Sequence, residues 1–202
     1  MATLWLARHA ETEWNVAGRQ QGRADSPLTA RGRGQAHALA AHARTLSIRH
    51  VVTSPLGRAR ATGAIVAAAC GADCSEQAVL AELDFGAAEG LTLAEVRARW
   101  PAWWAERGRD RWTSRWPSGE SYADAAARLA GFRVPSGATL VVAHQSVLRA
   151  LLVATGERPP AAAIEVRFAP CECVELSGES DALRPLPRAI PGDRSARRQP
   201  RS

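Results

Sequence analysis

Apolar residues in this chain gather in short blocks that stop abruptly at polar or charged ones. Thr3 to Ala7 (T-L-W-L-A) is the first block, Arg49 to Thr53 the second, and Thr139 to Ala143 (T-L-V-V-A) the cleanest. A short continuous apolar run bounded by polar residues suits a strand buried on both faces, so each block reads as a strand. Between the blocks the pattern turns helical. Thr29 caps a helix running through Gln35, Ala36 and Leu39 to about Thr45. Ser54-Pro55 opens another, with Ser as cap and Pro at the first helical position, running to about Cys70. Helical signals recur at Thr92 to Trp100, at Ser121 to Phe132, and from His144-Gln145-Ser146 to about Thr155. Val79 to Leu83 reads as a short extended segment, and Glu172 to Leu176 with Leu183 to Leu186 as late strands in an edge hairpin. Strands alternating with helices predict an α/β fold with a mostly parallel central sheet.

Residues 86–135 depart from this alternation. They mix Trp100, Trp103, Trp104, Trp112 and Trp116 with Arg and Pro, and read as a small helical insertion over one edge of the sheet. Core packing accounts for most of these tryptophans, with one or two left to face a substrate. A length of 202 residues suits one well-cored domain. The expected division is a domain over 1–190, with 86–135 as insertion or lid, and a basic tail over 191–202. That tail holds Arg194, Arg197, Arg198 and Arg201 against Asp193, half of the formal charge of +6. Every one of the 26 basic residues is Arg, which beside so much Ala reads as codon bias rather than selection for a ligand. No stacking platform or reader motif supports nucleic-acid binding. No stretch approaches the roughly 20 apolar residues of a membrane span, and no secretory signal is visible, so the expectation is a cytoplasmic protein. Cys70, Cys74, Cys171 and Cys173 lack zinc-knuckle spacing and read as free thiols in a reducing compartment.

Candidate chemistry sits where the apolar blocks end. The first block stops at Arg8-His9, the second at Thr53-Ser54 with Arg58 a turn later, and the third at His144. In a parallel sheet these ends share one edge, the edge at which open α/β sheets bind ligands. Two Arg and two His converging there suit a phosphate, because guanidinium groups hold oxygens in a fixed fork and keep their charge. A histidine at neutral pH serves either as a neutral nucleophile or as a charged donor. A metal site is disfavoured: two arginines repel a divalent cation, and no carboxylate pair stands beside the histidines.

Six blocks in order then carry a resemblance. They are R-H-A-E-T (Arg8 to Thr12), N-x-x-G-R-x-Q-G-x-x-D-x-P-L-T (from Asn15), S-P-L-x-R-A-x-x-T (Ser54 to Thr62), L-x-E-x-x-x-G-x-x-E-G (Leu80 to Gly90), G-E-S (Gly119 to Ser121) and A-H-Q-S-V-L-R (Ala143 to Arg149). The chain resembles the histidine phosphatase superfamily, whose phosphoglycerate-mutase-like fold implies a three-layer α/β/α sandwich. The resemblance implies that His9 is the nucleophile that forms a phosphohistidine. It makes Arg8, Arg58 and His144 the groups that hold the phosphoryl oxygens, with Asn15, Gln21 and Gly22 nearby. Glu82 takes the place of the proton donor, with Asp84 the alternative. Such an acid must hold its proton near neutral pH, which needs burial or neighbouring negative charge such as the substrate's own phosphate. Ala10 and Gln145 stand where the family usually has Gly; the first requires that no positive φ be needed there, and the second adds a side chain able to reach phosphate or substrate. Asp25 and Pro27 read as loop-shaping residues, and Glu89-Gly90 as either a turn or a ligand contact.

No cofactor or metal is implied. The expected partner is a small phosphorylated metabolite, with a homodimer left open. After Glu82, the mutases of this fold carry a basic stretch that Leu83 to Ala88 lacks. H-Q-x-V-L with P-x-G-E-S resembles fructose-2,6-bisphosphatase domains. The L-W-L start, the Trp-rich insertion and the ending L-R-P-L-P-R-A-I resemble bacterial α-ribazole phosphatases. The favoured activity is therefore a phosphomonoesterase acting on α-ribazole 5′-phosphate. A broad-specificity or fructose-2,6-bisphosphatase-like enzyme is the alternative. A non-catalytic binding module would have lost His9, Arg58 or His144, and all are present.

Overall fold

Six strands form one sheet: β1 (Leu4–Arg8), β2 (His50–Thr53), β3 (Asp73–Glu76), β4 (Thr139–Ala143), β5 (Cys173–Leu176) and β6 (Arg184–Pro185), in the order β3-β2-β4-β1-β5-β6. The computed structural model describes residues 3–176 and the backbone of 184–185, so the tail expected at 191–202 lies outside the described residues. β3, β2, β4 and β1 run parallel, while β5 is antiparallel to β1 and β6 to β5. The helices are α1 (Glu13–Val16), α2 (Ala30–Thr45), α3 (Gly57–Cys70), α4 (Leu93–Arg99), α5 (Pro101–Arg109), α6 (Tyr122–Arg128), α7 (Gln145–Ala154) and α8 (Pro160–Ala163).

The strand period of two sorts the apolar residues onto the two faces of the sheet. Trp5, Ala7, Val51, Leu140 and Val142 pack with Leu39 and Ala43 of α2 and with Val66 of α3. Leu4, Leu6, Val52 and Val141 face the other way, against Ala125 of α6 and Val147 and Leu151 of α7. The result is the expected three-layer α/β/α sandwich. Val96, Trp116, Tyr122 and Leu129, all from the 86–135 segment, join that second core, so its helices share the sheet's own hydrophobic interior.

Register aligns the chemistry. Arg8 pairs with Ala143 and Thr53 with Val142. Beyond the last pairs, His9 N–H donates to Ala143 C=O at 2.9 Å and Ser54 N–H to Val142 C=O at 3.1 Å. Arg8-His9, Ser54 and His144 therefore end at one level of one edge.

The structure corrects two local expectations and adds two elements that the sequence pattern leaves unassigned. Ser54 does not cap α3, which starts at Gly57 behind Leu56 with no side-chain cap; the Ser54 hydroxyl is engaged by His144 instead. The segment expected to be extended at Val79 to Leu83 opens with a 3-10 turn, Ala78–Leu80. Extended structure falls earlier, in β3, whose four residues D-C-S-E are all exposed and carry no apolar signal. The α5 helix follows directly on Trp100, with Pro101 at its first position, where the missing N–H costs nothing.

Candidate active site

A cavity of about 500 Å³ opens at the shared strand edge. Arg8, His9, Asn15, Gln21, Gly22, Arg58, Glu82 and Gln145 all line it. His144 does not. It is fully buried, with its ring centroid 5.1 Å from that of His9, one layer in from the cavity wall.

Hydrogen bonds assign the protons on both imidazoles. His9 Nδ1 lies 2.7 Å from Ala10 C=O, which can only accept, so Nδ1 carries the proton and Nε2 keeps its lone pair. Ala10 is held in turn, its N–H donating to Thr62 Oγ1 at 3.1 Å while that hydroxyl donates to Arg58 C=O at 2.8 Å. Ala10 has no positive φ, so the residue that replaces glycine is unstrained. Arg58 Nε donates to His144 Nδ1 at 3.2 Å, which leaves His144 Nε2 protonated and donating to Ser54 Oγ at 2.7 Å. Burial, reinforced by Arg8 and Arg58, holds His9 well below the ordinary histidine range. Burial, then Arg58, His9 and Arg8, does the same for His144. Both rings are neutral at pH 7.

The two arginines are held differently. Arg58 is buried, and four of its five N–H groups are engaged: Nε by His144, Nη1 by Ala24 C=O at 2.7 Å and Asp25 Oδ1 at 3.0 Å, and Nη2 by Gly22 C=O at 2.7 Å. It delivers a fixed charge and one remaining N–H. Arg8 makes a single bond, Nη1 to Phe168 C=O at 3.3 Å, and its buried Nε has no partner among the described residues. It offers the open fork. Burial lowers the Arg8 pKa; Glu82 opposes that shift, while Arg58 and Arg149 add to it.

Glu82 is buried at the start of α7, where His144 supplies no side-chain cap. Its Oε1 accepts from Leu83 N–H and Val147 N–H, each at 3.0 Å, and its Oε2 from Ser146 N–H at 3.2 Å. Glu82 therefore caps α7 from across the fold while facing the cavity. Asp84, the alternative acid, points elsewhere: its Oδ1 accepts from Gly86 N–H at 2.7 Å, and it does not line the cavity.

Asn15 completes a capping box on α1, its Oδ1 accepting from Thr12 N–H at 3.1 Å, which leaves Nδ2 as a donor for the cavity. Gln21 donates to Thr12 Oγ1 at 2.9 Å. Gln145 uses both ends of its amide on backbone, donating to Val166 C=O at 2.8 Å and accepting from Phe168 N–H at 3.0 Å. It anchors the segment whose Phe168 carbonyl holds Arg8.

Several contributors stand in the motif blocks without their roles being marked there. Asp25 is the counter-charge of Arg58. Glu89 accepts from Arg23 N–H at 2.7 Å and Ala24 N–H at 2.9 Å, clamping the loop whose carbonyls hold Arg58. Thr62 and Ser54 fix the two histidines through the bonds above. A recurring S-P-L-x-R-A-x-x-T block contains both, but only contacts from other strands reveal their use. Phe85, Arg19, Trp104, Arg107, Trp116, Tyr122 and Arg149 line the rest of the cavity.

These features build a cationic cavity at the strand edge of a three-layer fold, and comparison with known proteins gives the family. The profile of the histidine phosphatase superfamily (branch 1) matches residues 4–185, and the chain belongs to that family, an enzyme of the phosphatase class. It is 36% identical over 160 residues to the probable phosphoglycerate mutase GpmB of Citrobacter koseri, covering 77% of this chain and 74% of that protein. Among solved structures it is similar to the α-ribazole phosphatase from Shigella flexneri, with TM-score 0.80 and 26% identity over 91% of this chain and 95% of that one. It is also similar to a mycobacterial glucosyl-3-phosphoglycerate phosphatase, with TM-score 0.75 and 30% identity over 87% and 92% of the two chains. Among the described residues no helix is long and apolar enough to cross a membrane.

Proposed function

We propose that this chain is a phosphomonoesterase that works through a phosphohistidine at His9 Nε2. The observation that carries the reading is the His9 tautomer: with Nδ1–H fixed on Ala10 C=O and burial, reinforced by two arginines, keeping the ring neutral, the lone pair sits on Nε2 of a ring that lines the cavity. Nε2 attacks phosphorus, the P–O ester bond breaks, and Glu82 gives its proton to the departing oxygen. Water then attacks the phosphohistidine, Glu82 takes a proton from it, and the P–N bond breaks to release phosphate. Charge spread over three phosphoryl oxygens is met by the open fork of Arg8, the fixed charge of Arg58 and the Nδ2 donor of Asn15. His144 Nδ1 accepts from Arg58 Nε and so orients it beside His9.

The substrate is a small phosphorylated metabolite. Phe85, Trp104 and Trp116 give part of the cavity lining an aromatic character, which is compatible with a substrate that carries an aromatic base such as α-ribazole 5′-phosphate. The likeness to the Shigella flexneri enzyme supports the same reading. A cytoplasmic location agrees with four free cysteines, two of which (Cys171 and Cys173) burial pushes up to about 12.

Phosphate release from p-nitrophenyl phosphate tests the reaction. The wild type is expected to release phosphate without added metal, and His9→Ala to lose that activity; equal rates in the two proteins would overturn the proposal. A kcat/KM for α-ribazole 5′-phosphate no better than for p-nitrophenyl phosphate would remove that substrate. Appearance of 2-phosphoglycerate from 3-phosphoglycerate would assign a mutase instead.

A further inference from the structure

Two arginines that line the same cavity take no part in the phosphoryl-transfer steps. Arg107 of α5 lies with its guanidinium carbon 4.6 Å from the centroid of Trp116 and 5.4 Å from that of Trp103, and its Nη1 donates to Ser114 C=O at 2.9 Å. Arg149 of α7 donates from Nε to Val166 C=O at 2.7 Å and from Nη1 to Tyr122 Oη at 3.0 Å. Both line the cavity, and neither joins an ion pair among the described residues. Arg111, beside them, is paired with Glu165 at 2.8 Å. The single acidic side chain lining the cavity is Glu82, already engaged by three backbone N–H groups.

Two half-buried guanidinium groups without a counter-charge are costly, and carbonyls and ring faces compensate only in part. The stack on tryptophan fixes the plane of Arg107 and leaves its edge donors for an anion.

We propose that Arg107, assisted by Arg149, forms a second anion site that selects substrates bearing an anionic group besides the phosphoryl group transferred to His9. The site rests on the phosphomonoesterase reading and stands against α-ribazole 5′-phosphate as substrate, whose one anionic group is the phosphate itself; the matched pairs below decide between the two. A neutral phosphate ester leaves the Arg107 wall uncompensated; a carboxylate or second phosphate fills it. Substrate class is thus decided by the Trp-rich segment, through a cation held on its rings.

Matched substrate pairs test this. Three pairs differ only in the second group: 4-phosphoerythronate against erythritol 4-phosphate, 6-phosphogluconate against sorbitol 6-phosphate, and mannitol 1,6-bisphosphate against mannitol 1-phosphate. The first two present a carboxylate at two reaches and the third a phosphate, so the preferred pair identifies the anion. In the wild type the anionic member of at least one pair is expected to have a kcat/KM about ten- to hundredfold higher. That ratio should fall by about fivefold or more in Arg107→Met, which keeps a long apolar stem on the rings, and fall less in Arg107→Lys, which keeps the charge. Both members are measured on one preparation, so loss of folded protein cancels from the ratio. No preference in any pair, an undiminished ratio in Arg107→Met, or equal ratios in the Met and Lys variants overturns the second site. Release from p-nitrophenyl phosphate by wild type but not by His9→Ala keeps the phosphomonoesterase reading intact in those cases; its absence brings down that reading instead.

Discussion

Replacing Glu82 with Gln separates two jobs that the structure gives to one carboxylate. The first is structural. Glu82 Oε1 accepts from Leu83 and Val147 N–H, each at 3.0 Å, and Oε2 from Ser146 N–H at 3.2 Å, at the start of a ten-residue helix with no cap of its own. A glutamine can leave its oxygen on the two-bond side, but its NH2 then faces the Ser146 N–H, donor against donor. Leaving one buried donor unsatisfied costs about 1–3 kcal/mol. For a chain of this size each kcal/mol lowers Tm by about 2–4 °C, so a fall on the order of 2–12 °C is expected by calorimetry. The second job is chemical. As general acid Glu82 is worth about 10²–10⁴-fold when the leaving oxygen is an alkoxide. Nitrophenolate departs without a proton, so Glu82→Gln should lose that factor on a sugar phosphate and far less of it on p-nitrophenyl phosphate. Phosphate release is measured on both substrates below the variant's Tm. Equal losses on the two substrates refute the acid role, and an unchanged Tm refutes the capping role, independently of each other.

Other outcomes follow from the same geometry. His9 and His144 are held well below their ordinary value of 6.5, so an unfolded chain takes up protons that the folded chain refuses as pH falls through 6.5. Their contribution is therefore lost on the acid side, at about 1.4 kcal/mol per pH unit for each histidine. Urea unfolding at pH 7.5, 6.5 and 5.5 should show this, with the slope reduced by one histidine's share in His9→Ala; an unchanged slope in that variant contradicts the buried neutral ring. Gly22 adopts φ +55, and a Cβ there meets the Glu89 carboxylate that clamps the Arg58 loop. Gly22→Ala should cost about 1–3 kcal/mol of stability and lower kcat/KM together, and a variant with wild-type activity would show that the clamp does not govern Arg58. Gln145→Ala removes both backbone bonds to the 166–168 segment and is expected to cost about 1–3 kcal/mol; a wild-type Tm with a large rise in phosphate inhibition constant would instead make Gln145 a direct phosphate contact.

Phosphate chemistry is legible in this sequence because it interrupts the hydrophobic pattern. Leu4 to Ala7 and Leu140 to Ala143 are buried runs, and Arg8-His9 and His144 follow them at once, so strand ends and reactive groups are marked by the same discontinuity. A parallel register then brings them together with no further information. Elements whose pattern is flat stay hidden. β3 is a strand only because β2 offers it backbone partners, and its four exposed residues would suit a loop equally well. Ser54-Pro55 has the right composition for a helix start, but the Ser54 hydroxyl accepts from His144 Nε2 and from Leu56 N–H, and the helix begins only at Gly57.

The cationic wall is the hardest part to read, and for a different reason. Arg107 is one of 26 arginines, and nothing in its local sequence sets it apart from Arg111 four residues on, while Arg149 ends the A-H-Q-S-V-L-R block with no role marked for it there. What distinguishes them is a relation: Glu165 approaches Arg111, and no carboxylate among the described residues approaches the other two. Charge compensation depends on groups far apart in the chain, so its absence is visible only after folding. The groups assigned to phosphoryl transfer are residues that must be what they are, whereas the rest of the lining is built from common residues in uncommon company. A family can therefore keep one reaction and change its substrate by moving a single acidic side chain. In this chain the corresponding experiment is to place one beside Arg107: Ser114→Asp, next to the carbonyl that holds Arg107 Nη1. If a missing counter-charge is what selects the anion, that substitution should bring the preference for anionic substrates toward unity, and a preference that survives it would mean the wall does not set specificity.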